Sequence, residues 1–136
     1  MLAIAQVVKL QPASVVVCGV VESVSVTMVQ HAGFVADVTP QISAQVTATR
    51  HSEIAAAVTV MRDAIAGQLP GAEVSLIVAQ GEPETEIVRL ASEVGADIIV
   101  MSTRGRSGVR RAVLGSVADY IVSRALGGVA VLTIHP

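Results

Sequence analysis

The stretch MSTRGRSGVRRAVLGSV, residues 101–117, gathers the residues best suited to chemistry in this 136-residue chain. Gly105 and Gly108 allow a tight turn that brings backbone amides close to an anion. Ser102, Thr103, Ser107 and Ser116 offer hydroxyl donors, and Arg104 and Arg106 supply positive charge. A helix opening after this patch would aim its amino terminus at the same anion. The chemistry is that of phosphate binding. A plainer account also fits: Gly105 and Gly108 make a strand-to-helix turn, and Gly115 lets two elements pack or precedes the helix proper. The spacing lacks the Walker lysine and does not fit the dinucleotide fingerprint, so the residues by themselves leave both accounts open.

Catalytic groups are harder to find. No G-x-S-x-G elbow accompanies Ser102 or Ser116, and no nearby base is evident, which argues against a hydrolytic triad. His31, His51 and His135 are widely spaced, fit no metal pattern and read as surface or capping residues. Glu82, Glu84 and Glu86 crowd the start of a helix, where the macrodipole accounts for them without a metal. Arg104, Arg106, Arg110 and Arg111 fit a solvated turn and helix face or phosphate attraction. Stacking aromatics that would mark nucleic-acid binding do not accompany them.

The elements that must position this patch follow from composition and period. The length suits one domain. With 52% hydrophobic residues, one Tyr, one Phe and no Trp, the core is built from Val, Ala, Ile and Leu. The net charge of −2 disfavours a general nucleic-acid binder. The single cysteine, Cys18, excludes an internal disulfide and reads as a buried, inert thiol. No apolar run reaches the roughly 18 residues of a membrane span, and MLAIAQVVKL lacks a signal-peptide pattern, so a cytoplasmic domain is the expectation.

Along the chain, Ala3–Leu10 reads as a short helix or helix remnant ended by Pro12. SVVVCGVV, Ser14–Val21, is apolar on both faces, as in a parallel strand covered on two sides. The segment Glu22–Arg50 has no single period and reads as a long connection with short helical pieces. From His51, a stripe of Ile54, Val58, Met61, Ile65 and Leu69 predicts a helix ended by Pro70 and Gly71. AEVSLIVAQG is a strand. EPETEIVRLASEVG is a helix with Glu82 as cap, Pro83 first, Ile87, Leu90, Ala91 and Val94 inward, and Gly95 as the stop. ADIIVM is a buried strand, VRRAVLGSVADYIVSRAL a helix and GVAVLTI a final strand. Alternating strands and helices imply an α/β fold of three layers, a parallel sheet clothed by helices through right-handed crossovers. In such sheets ligands collect at the carboxyl ends of the strands.

Ser102, Gly105, Gly115 and Ser116, with two and then nine residues between successive positions, resemble the G-x2-G-x9-G-S/T signature of the universal stress protein family. ADIIVMSTRGRSG, LGSVADYIV and VAVLTI look like that family's fourth strand, fourth helix and fifth strand, and GEPETEIVRLASEVGADIIV is similar to the segment leading from its third strand. The resemblance implies a stress-response domain with strand order 3-2-1-4-5 and an adenine-nucleotide site. It would place adenine near Val20 and Met101, with phosphates against Ser102, Gly105, Gly115, Ser116 and Val117. ATP with magnesium is the implied ligand, held by orientation with at most slow hydrolysis. It further implies a homodimer through the C-terminal edge strand, with protein clients as possible partners, while the charge and the short apolar runs above argue against nucleic acid and membrane.

Two departures stand out. Ser102 occupies the first glycine of the signature, putting a side chain where the family brings bare backbone near phosphate. The chain also opens in LAIAQVVKL, which resembles the family's first helix, so that residues 1–136 read as one domain without the usual first strand and its Asp-containing turn. A start assigned downstream, filling of the gap by the Gly33–Val38 region or a partner, and a degenerate paralogue all fit. The resulting alternative is a dimeric protein-interaction module that binds no nucleotide, with no cofactor if the pocket is degenerate.

Overall fold

A computed structural model describes residues 10–22, 40–102, 115–124 and 128–134. Its elements are β1 (Ser14–Val21), α1 (Pro40–Gln68), β2 (Glu73–Gln80), α2 (Pro83–Glu93), β3 (Ile98–Ser102), α3 (Ser116–Arg124) and β4 (Ala130–Ile134). The strands pair in parallel as β1 with β2 and β3 with β4. Val21 is opposite Gln80 and Ser102 opposite Ile134, so each pair ends together at its carboxyl edge.

These are two two-stranded sheets, with no ladder joining them among the described residues. In the expected series, β2 and β1 correspond to the first two places and β3 and β4 to the last two. Among the described residues, β1 does not pair with β3. The two sheets are linked through the helical layer, where α2 packs on β1 and on α3, and α3 packs on β4.

Side-chain alternation along β1 explains the layers. Val17 faces α1 in a core with Val58 and Ile65, flanked by Val15, Ile54, Leu69, Val74, Leu76 and Val78. Gly19 shares this face, where a β-carbon would lie 2.5 Å from Ile54 Cγ2 and 3.0 Å from Val58 Cγ1. Bare backbone at Gly19 thus lets α1 approach β1 closely. Cys18 belongs to the opposite face of the strand and is exposed, contrary to the buried thiol expected. The run of valines implied cover on both faces, but the cover on this side is incomplete.

The longest departure from the sequence reading is α1. Pro40–Arg50 is helical and continuous with the segment beyond His51, giving one helix of 29 residues. Proline at the first helical position is pre-set for the turn. The inward row continues through Ser43, Thr47 and Arg50 before reaching Ile54, Val58, Ile65 and Leu69, all buried or half-buried. Polar residues on the first part of that row interrupt the apolar period. Met61, assigned to the inward stripe from its spacing, is 42% exposed, and the core on this face closes around Val58 and Ile65 without it.

The helix α2 agrees more closely. Glu82 is its N-cap without a side-chain cap bond, Pro83 stands in the first turn, and Leu90 is buried. Val94 is the C-cap and is exposed, since the helix leaves the core there. Gly95, at φ 63°, donates its N–H to Ser92 O, and Ala96 donates to Ala91 O at 2.9 Å. This pair of bonds is a Schellman termination. Among the described residues, no helix is long and apolar enough to cross a membrane.

Candidate functional site

The carboxyl end of β3 carries Met101, which is half-buried, and Ser102, which is exposed. Gly115 lies immediately before α3, and its carbonyl accepts the Asp119 N–H at 2.9 Å, so α3 starts at Ser116. The longer helix read from VRRAVLGSVADYIVSRAL therefore has its described part at Ser116–Arg124, with Gly115 as the residue before the first turn. Glycine there avoids the penalty it would carry inside a helix.

Connectivity fixes the direction of α3. The chain leaves β3 at its carboxyl edge and returns to begin β4 at Ala130, which is opposite Ile98 at the start of β3. The amino terminus of α3 therefore lies toward the edge that ends in Ser102 and Ile134. Ala118 and Ile121, only 2% and 0% exposed, anchor the helix in that position. The first amides of a helix have no intrahelical carbonyl to bond, and here they belong to Ser116, Val117 and Ala118. They form a partial positive charge at the end of the macrodipole. Ser116 is exposed and Val117 half-buried.

The sequence candidates thus divide. Met101 and Ser102 end β3, while Gly115, Ser116 and Val117 open α3 in the same half of the fold. Val20 is half-buried near the carboxyl end of β1, in the other sheet. Gly105 and the arginines at 104, 106, 110 and 111 lie outside the described residues. Among the described residues, no group of three or more His, Cys, Asp or Glu is arranged to hold a metal ion.

Nearby electrostatics are those of ordinary surface pairs. Arg89 on α2 bridges Glu86 at 2.7 Å and Glu93 at 2.5 Å, and these carboxylates hold its guanidinium pKa above the usual value. Cys18 is exposed as a residue, but partial desolvation of its thiol pushes the pKa up, Glu86 adds to the rise, and Arg89 opposes it. The sequence did not single out Ser43 or Thr47, which share one face of α1 with His51, exposed as expected of a surface histidine. Their spacing of four and the helix-starting Pro40 were the available signal, hidden by the mixed polarity of the segment.

The model of the family described as "Universal stress protein family" matches residues 2–132. The chain belongs to the universal stress protein family. Universal stress protein MJ0531 of Methanocaldococcus jannaschii is 40% identical over 55 residues, covering 40% of this chain and 32% of that protein. Universal stress protein MJ0577 of the same organism is 34% identical over 55 residues, covering 40% and 34%. The matched stretch thus spans about a third of each curated relative. The solved structure of hypothetical protein MJ0577 superposes with a TM-score of 0.75 at 19% identity, covering 98% of this chain and 85% of that one. UspA from Lactobacillus plantarum gives 0.73 at 17%, covering 97% and 86%. These likenesses establish the universal stress fold, with its α/β layers and parallel strands, for this chain.

Proposed function

We propose that this universal stress domain binds an adenine nucleotide, ATP with magnesium, at the carboxyl edge of β3 and β4. The start of α3 carries the proposal. Gly115 lets the helix begin at Ser116, which leaves the Ser116, Val117 and Ala118 amides outside the helical bonding pattern. Those amides and the Ser116 hydroxyl suit phosphate oxygens, with the Ser102 end of β3 beside them, and the family resemblance adds Gly105, which lies outside the described residues. Adenine would lie toward Met101 and Val20. The residues of this chain bind and orient the phosphates electrostatically, and no proton acceptor is needed for that role. Magnesium supplies charge neutralisation on the phosphates when bound. The proposal further includes a homodimer through the outer edge of β4, where an apolar strand invites pairing, and a cytoplasmic setting.

A second reading is a dimeric interaction module without nucleotide. It is favoured by the location of Val20 on a different sheet from Met101 and Ser102. Titrating the isotope-labelled protein with magnesium-ATP distinguishes the two. Saturable amide shifts at Ser102, Gly115, Ser116 and Val117 support the nucleotide site. A folded protein whose spectrum is unmoved at millimolar ATP favours the interaction module.

A further inference from the structure

The helix α1 is apolar on two sides. Its inward row builds the core with Val58 and Ile65, yet four of its large apolar side chains lie outside that core and are exposed: Ile42 by 48%, Val46 by 37%, Val60 by 70% and Met61 by 42%. They belong to one stripe. Ile42, Val46, Arg50, Glu53, Ala57, Val60 and Ala64 follow one another at steps of four or three, with Met61 at the border of the stripe. From Val46 onward the steps of four and three alternate, which is the spacing of a helix seam that packs against another helix.

The two charged members stand in the middle of the stripe. Arg50 is half-buried, where the stripe borders the inward row, and Glu53 is exposed. Among the described residues, the ion pair within α1 joins Arg62 to Asp63, so Arg50 and Glu53 are not tied to each other. Charged groups in an apolar seam select orientation and register. Parallel pairing of two copies would set Arg50 against Arg50 and Glu53 against Glu53, with like charges opposed. Antiparallel pairing about a two-fold axis midway between them sets each Arg50 against the other copy's Glu53. In that same register Val46 meets Ala57 and Ile42 meets Met61, so the apolar positions match as the charges do.

We propose that this face of α1 is a self-association surface whose occupant is a second copy of the chain, the two helices packed antiparallel around reciprocal Arg50–Glu53 pairs. The interface is isologous, each copy offering the same patch. The seam from Ile42 to Met61 runs for about 29 Å along the helix at roughly 1.5 Å per residue. It shares no residue with the Ser102–Ser116 edge or with β4, and so stands apart from nucleotide binding and from pairing of edge strands.

Sedimentation equilibrium of the full chain over a range of concentrations tests this, with circular dichroism reporting the fold. Arg50→Glu and Glu53→Arg each turn both reciprocal pairs from attraction to repulsion, and each is expected to self-associate about ten-fold more weakly than the parent. The charges of the two variants complement each other. An equimolar mixture of them is therefore expected to regain the parent's mass, as is the doubly exchanged Arg50→Glu/Glu53→Arg protein. Val60→Lys, at the most exposed apolar position of the seam, is expected to lower the mass as well and serves if a charge variant fails to fold. Association through the β4 edge alone would leave every folded variant at the parent's mass. That result, a parent that sediments as a monomer, or a mixture that stays dissociated while both components remain folded would each overturn the proposal.

Discussion

Gly19 on β1 and Ile54 on α1 meet so closely that a β-carbon on Gly19 would lie 2.5 Å from Ile54 Cγ2. Real β-carbons do not approach another heavy atom at that distance, so one element must move. Val58 Cγ1, at 3.0 Å, blocks the simplest retreat. Gly19→Ala is therefore expected to destabilise the protein by about 1–3 kcal/mol, the usual range for overpacking. Urea unfolding of the two proteins measures it. Equal midpoints would show that α1 can shift away from β1 without loss.

Ile121 on α3 is 0% exposed and Ala118 beside it 2%. These residues hold the helix whose first turn forms the proposed phosphate site. Ile121→Ala removes buried methylene and methyl groups and is expected to cost about 2–5 kcal/mol. Thermal unfolding monitored by circular dichroism checks the direction, and a transition as high as that of the parent would contradict the assigned anchoring role.

Gly95 ends α2 at φ 63° with open space where a side chain would project. Steric contact is thus absent, and the penalty of Gly95→Ala is that of the backbone alone. A left-handed L-residue costs about 1–2 kcal/mol. The expected loss is of that size, measured by denaturant unfolding, whereas no loss would mean that the Schellman turn rearranges freely.

Although Cys18 is exposed as a residue, partial desolvation of its thiol raises the pKa, with Glu86 adding to the effect and Arg89 opposing it. Alkylation by iodoacetamide follows the thiolate. The rate in the folded protein should therefore rise at higher pH than in the unfolded chain. The linkage has the matching sign: any stability from this raised pKa is present below the unfolded pKa and lost as pH climbs through the folded one. Superimposable rate profiles for the folded and urea-unfolded protein would refute the shift.

Much of this architecture is legible in the sequence where one physical signal dominates. β1 is bounded as its β-branched run suggests, and Pro83 and Gly95 bracket α2 as proline-first and glycine-stop chemistry dictates. The first turns of α1 were illegible for the opposite reason. Their inward row bears Ser43, Thr47 and Arg50 above the strand edge, where no apolar core demands hydrophobic residues. Met61 misled because spacings of three and four fit more than one line along a helix, and the core against β1 and β2 closes around Ile54, Val58 and Ile65 without it. At the candidate site, the break at Gly115 could be read from the penalty of an interior glycine. The separation of Val20 from Met101 arises from strand pairing over long sequence distances, which local pattern does not encode.

The nucleotide reading stands or falls on the start of α3. Calorimetric titration of the folded protein with magnesium-ATP, repeated on Ser116→Ala, tests it most directly. The account predicts saturable binding that Ser116→Ala weakens by roughly two- to ten-fold, the loss of one net hydrogen bond of about 0.5–1.5 kcal/mol. Absence of binding by the folded parent, or a Ser116→Ala variant that binds as tightly as the parent, would contradict phosphate recognition by Ser116 at the α3 terminus.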